Sequence, residues 1–120
     1  MSIETIPKGR WREFLDSFNR VHRGWLMTVE AVNGVGVLMH DVPLASIVFE
    51  GGDIVIEAAM DRQHSDHVVR NPVAIRLERT SDGADQQVEI ARADGEIVRV
   101  RFRSAVRPEL VDGIAGSAKT

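Results

Sequence analysis

The chain has 120 residues, no cysteine and a formal net charge of −3. That length suits one domain whose core needs neither disulfide nor metal, and the cysteine count excludes a disulfide framework, a zinc-thiolate site and a thiol nucleophile. Apolar residues at 43% exclude wholesale disorder, and the mild acidity argues against non-specific nucleic-acid binding.

Charge is spread unevenly, with a net of +2 over residues 1–24, −5 over 25–70 and zero over 71–120. The acidic middle argues against a membrane-surface role. No window approaches the ~20 apolar residues of a membrane span. The start, Met1 to Lys8, lacks the basic and then apolar pattern of a signal peptide. A cytoplasmic location is expected.

In chain order, the first element is an amphipathic helix over about residues 7–23. Trp11, Phe14, Leu15, Phe18 and Val21 recur at steps of three and four, which makes one apolar stripe. Thr5 is placed to cap its start, with Pro7 in the first turn. His22 and Arg23 suit the C-terminal carbonyls, and Gly24 suits a left-handed cap.

From Trp25 to about Val106 the pattern is β. Trp25–Val32 and Val35–Val42 flank Asn33-Gly34, a strong hairpin signal. A two-residue loop sets Val29 opposite Leu38, Met27 opposite His40 and Trp25 opposite Val42, which places His40 as a buried neutral histidine. Pro43 is expected to end that strand. Leu44–Glu50 and Ile54–Met60 are joined by Gly51-Gly52-Asp53. A polar loop, residues 61–66, precedes a short His67–Arg70 run and Pro72.

Three further strands follow, Val73–Arg79, Gln86–Arg92 and Glu96–Arg103. A three-residue loop with Gly95 left-handed sets Ile90 opposite Val98 and Val88 opposite Val100, whereas a one-residue slip would move every apolar side chain to the wrong face. The same register sets Glu89 opposite Arg99. With Ile75 opposite Ile90, Arg76 also faces Glu89, giving an Arg–Glu–Arg ladder. Residues Pro108–Gly113 suit one helical turn. The expected organisation is one α+β domain over residues 1–108 and a C-terminal turn and tail over 109–120. Its N-terminal helix is followed by a bent, mostly antiparallel sheet or partial barrel of about six to seven strands.

Ile6-Pro7, Trp11, Phe14-Leu15, Phe18, His22 and Gly24-Trp25-Leu26 resemble the start of a family of small bacterial proteins, a domain of unknown function. Pro43-Leu44, Asp66-His67 before Pro72, and Val100–Ser104 continue the likeness over most of the chain. The resemblance implies a bacterial, cytoplasmic, single-domain protein. It brings no activity to any residue.

Two clusters carry candidate chemistry. Asp61, His64, Asp66 and His67 offer two imidazoles and two carboxylates to a divalent metal, or one histidine as a general base. Their spacing lacks a metalloprotease helix pattern, and the plainer reading is a solvated loop. Arg99, Arg101 and Arg103 alternate along one strand and offer guanidinium groups to phosphate or to an acidic protein surface. The plainer reading is a wet face that discourages edge association. No tyrosine is present and neither tryptophan nor phenylalanine interleaves with these arginines, so a stacking platform for single strands is missing. No phosphate loop, dinucleotide fingerprint or nucleophile elbow occurs.

The pattern points away from an enzyme and from any cofactor. It points toward a small β-rich binding or interaction domain whose partner is a protein or a second copy. The alternatives are an Sm-like small-barrel nucleic-acid module, by analogy of element order, and a metal-dependent hydrolase centred on His64 and His67.

Overall fold

The chain begins with a strand that lies along the sheet. The structure, a computed structural model, describes residues 2–32, 34, 36–59, 64–79 and 85–103, without the side chains of 64, 65, 85 and 86. Strand β1 (Ser2–Ile6) leads into a 3₁₀ turn (Lys8–Arg10) and helix α1 (Trp11–His22). Then come β2 (Leu26–Ala31), β3 (Gly36–Glu50), β4 (Asp53–Ala59), β5 (His64–Val69), β6 (Pro72–Arg79), β7 (Asp85–Arg92) and β8 (Ile97–Arg103). The eight strands among the described residues join one antiparallel sheet in the order β1-β6-β7-β8-β2-β3-β4-β5. The α+β class and the bent antiparallel sheet stand as expected. The count is eight because β1 precedes the helix and a polar stretch read as loop supplies part of β5.

Thr5 does not cap the helix. It pairs with Arg76 in the sheet, and Pro7 precedes the 3₁₀ turn, so the α-helix proper starts at Trp11. Trp11, Leu15 and Phe18 are buried, and the Trp11 indole N–H donates to the Ile6 carbonyl at 2.9 Å. Val21, expected on the stripe, is 64% exposed, whereas His22 is 1% exposed. At about 100° per residue His22 lies close to the direction shared by Trp11, Leu15 and Phe18, and Val21 lies well off it. His22 stacks on Phe18 at 3.9 Å and meets Trp25 edge-on at 4.5 Å. Its Nδ1 lies 3.0 Å from the Phe18 carbonyl, which can only accept, so Nδ1 carries the proton. Gly24 adopts the left-handed conformation expected of it, φ +87°.

The β2–β3 hairpin departs from simple pairing. Glu30 faces Val37 as a two-residue loop requires, but Val29 faces Met39 and Met27 faces Val42. Each of the two register shifts inserts an extra residue in β3. The first brings Met39 inward in place of Leu38. The second includes Asp41 at φ +51° and leaves the His40 side chain 73% exposed, not buried as its phase predicts. Pro43 does not end the strand either. It pairs with Leu26 where β2 starts, and β3 continues past it to pair with β4. The missing N–H costs little at a point where pairing changes partners.

The second half of the sheet follows its alternation except at the two ends of the β6–β7 pairing, where the register shifts between Pro72 and Ala74 and between Glu78 and Arg79. Ile90 faces Val98, Val88 faces Val100, Ile75 faces Ile90 and Gly95 has φ +92°. Inward residues of all eight described strands, among them Met27, Ile47, Ile56, Ile75, Val88 and Val100, form one core with the α1 stripe. Residues 108–120, including the expected helical turn, lie outside the described residues.

Candidate functional site

The arginine row is built into a charge lattice on the outer sheet face. Arg99 contacts Glu89 at 3.1 Å and Glu30 at 3.6 Å, while Arg101 reaches Glu30 at 3.4 Å. Arg76 closes on Glu89 at 3.7 Å, which gives the expected ladder across β6, β7 and β8 and extends it to β2. Arg103 grips Asp41 at 3.0 Å. That bond holds the Asp41 carboxyl below its ordinary value and raises the Arg103 guanidinium. Each guanidinium of the row therefore already has a carboxylate.

The histidine cluster is divided by strand alternation. Asp61 lies outside the described residues, and so does the His64 side chain. Position 64 opens β5 opposite Ala59, and His67 follows at an odd spacing opposite Ile56. Successive residues of a strand face opposite sides, so positions 64 and 66 share the outer face and His67 turns inward with Val69. Asp66 is exposed, and His67 is half-buried. Burial holds the His67 imidazole below its ordinary value, opposed by nearby Glu96 and helped by Arg92. Among the described residues, no three His, Asp or Glu side chains gather as a metal site.

A groove that the sequence does not announce lies between α1 and β3. It encloses about 420 Å³ and is lined by Arg12, Asp16, Asn19, Ile47, Val48 and Phe49, with Leu15 at its floor. Beyond Pro43, β4 is the one strand among the described residues that pairs with β3. The α1 side of this edge is closed in two places. Leu44 exchanges hydrogen bonds of 2.9 Å with Gly24 and Trp25, and the buried Asn19 amide pairs with Ile47. The Ile47 amide and carbonyl thus point away from β4. By the two-residue repeat of a strand, those of Phe49 point the same way, into the groove. The Phe49 ring packs edge-on against Trp11 at 5.1 Å and under the Arg12 guanidinium at 5.3 Å.

The profile of a family of unknown function, DUF5335, matches residues 2–110. The chain belongs to DUF5335. No curated protein and no solved structure gives a significant match. In this DUF5335 protein no helix among the described residues is long and apolar enough to cross a membrane.

The sequence holds one clue to the DUF5335 groove. Asn19 stands one helical turn after Leu15 and beside the apolar stripe, a flank where a short amide can reach a neighbouring backbone. Which backbone it reaches depends on the course of β3, whose pairing is broken by three register shifts that no local pattern marks, two against β2 and one against β4 between Leu44 and Ser46.

Proposed function

We propose that this DUF5335 protein is a non-enzymatic interaction domain that holds an extended polypeptide segment in the groove between α1 and β3. The observation that carries the reading is the Phe49 edge. A strand end whose N–H and C=O no described strand takes up, beside a helix and above an apolar floor, is the arrangement that accepts an added strand. Arg12 and Asp16 stand one helical turn apart on the wall, about the span of two residues of an extended chain. They favour a segment whose alternate side chains carry opposite charge. Arg12 has no carboxylate partner among the described residues, and the Asp16–Arg20 pair is exposed, so neither wall residue is costly to redirect.

The test is selection from a displayed random-peptide library by the full chain, followed by affinity measurement on the enriched peptides. Phe49→Leu keeps the backbone donor, and Phe49→Pro removes it without touching the β4 pairing. Binding kept by Phe49→Leu and lost by Phe49→Pro, with similar melting temperatures, supports strand addition. Equal binding by the two variants, or no enriched peptide, overturns it.

A further inference from the structure

We infer that β5 is a self-association edge, through which two copies of this chain join their sheets about a two-fold axis at Val68. The inference concerns the end of the sheet formed by β5 and is independent of the groove.

Hydrogen-bond parity fixes which backbone groups of β5 face outward. Gly51-Gly52 makes a two-residue turn closed by Glu50 opposite Asp53, so that pair exchanges hydrogen bonds, and Val48 with Val55 does so two residues further on. The Asn19 bonds to Ile47 confirm the phase, since Ile47 must then face away from β4. Val55 therefore spends its backbone groups on β3. Val68, which stands opposite Val55, turns its own N–H and C=O to the outside, and Asp66 does the same. No described strand pairs with that side.

The side chains on this edge are self-complementary. Val48, Val55 and Val68 form a row across the outer face of three strands, with Val48 37% and Val68 39% exposed. Asp66 stands opposite Glu57 on the same face, an unfavourable placing of two carboxylates. No ion pair of Asp66 occurs among the described residues. Arg70 follows directly after β5; its side chain is 70% exposed and only loosely paired, 3.8 Å from Asp53, while its carbonyl accepts from the Arg92 Nε–H at 3.0 Å.

Antiparallel pairing with Val68 opposite Val68 of a second copy satisfies all three features. It makes a hydrogen-bonded pair at the axis and continues the valine row from one copy into the other. It also sets Asp66 opposite Arg70 of the second copy, twice by symmetry. Such an isologous contact closes at two copies. A heterologous contact between β5 of one copy and β1 of another would instead run on into fibres.

The experiment is sedimentation equilibrium of the full chain from about 10 µM to about 1 mM, the range expected of a small strand-pairing interface. The wild type should move from monomer toward dimer mass across the series. Val68→Pro removes the N–H at the axis but no bond to β4, and should stay monomeric with an unchanged far-UV spectrum. Asp66→Arg should weaken the dimer at least tenfold, and Asp66→Arg with Arg70→Asp should regain most of that loss, because the exchanged charges face each other again. A wild type that stays monomeric throughout, dimers undiminished in Val68→Pro, or open-ended polymers would each overturn the inference.

Discussion

Asn19 holds the backbone of Ile47 from both sides. Its Nδ2 donates to the Ile47 carbonyl at 3.0 Å, and its Oδ1 accepts the Ile47 N–H at 2.9 Å. The amide stands where a neighbouring strand would stand, and a helix thereby closes part of an open sheet edge. Two buried backbone groups depend on this one side chain, and both are satisfied.

Asn19→Ala should therefore destabilise the protein by about 1–3 kcal/mol for each backbone group left dry and unpaired, read from urea unfolding. Asn19→Asp keeps the acceptor for the Ile47 N–H but sets a carboxylate oxygen against the Ile47 carbonyl. It should be destabilised at neutral pH and regain part of the loss in acid, where a protonated carboxyl can donate. An Asn19→Ala variant as stable as wild type would show that water replaces the amide at no cost.

The helix stripe makes a graded prediction. Phe18 is buried and touches Phe102 and His22, whereas Phe14 is only partly buried. Phe18→Ala should cost about 3–5 kcal/mol, the usual range for a buried phenylalanine, and Phe14→Ala clearly less. Equal losses in thermal or urea unfolding would contradict the burial difference.

His67 gives a pH dependence of definite sign. Burial holds its folded value below that of an ordinary histidine, so below about pH 6.5 the unfolded chain takes up a proton that the folded chain resists. Stability should fall as pH drops from 6.5 and level off once the folded form is protonated too. His67→Gln should flatten the profile in that window. A slope unchanged by the substitution would assign the effect to another group.

The parts of the fold legible in the sequence are those where one local rule acts alone. The β7–β8 register follows from strict alternation and a left-handed Gly95, and Glu89 meets Arg99 as that alternation requires. The β2–β3 register does not, because two residues of β3 are accommodated as bulges and each reverses the phase beyond it. His40 was placed inside by a parity that the first bulge had already reversed. Asp61, His64, Asp66 and His67 look like one loop cluster in the sequence, whereas a strand through positions 64 and 67 places those two positions on opposite faces. The groove was least legible. It arises from where α1 lies against a bent strand, and no segment contains that information by itself.

The arginine row gives the last prediction. Arg99 bridges Glu89 and Glu30, whereas Arg101 and Arg103 each have one carboxylate partner among the described residues and are more exposed. The two glutamates are mostly covered, 20% and 18% exposed, so they depend on the cations beside them. Arg101→Gln should therefore cost within about 1 kcal/mol, as expected of an exposed pair. Arg99→Gln should cost more, because it leaves both glutamates with fewer cations in a part-shielded setting. Adding Glu89→Gln to Arg99→Gln should recover some of the loss, since the carboxylate left short of cations is then gone. Added salt should narrow the gap between wild type and the Arg101 variant more than that between wild type and the Arg99 variant, because exposed charges are screened first. A ranking in which Arg101→Gln is the more damaging change would mean that the exposed end of the row carries more of the stability than its covered centre.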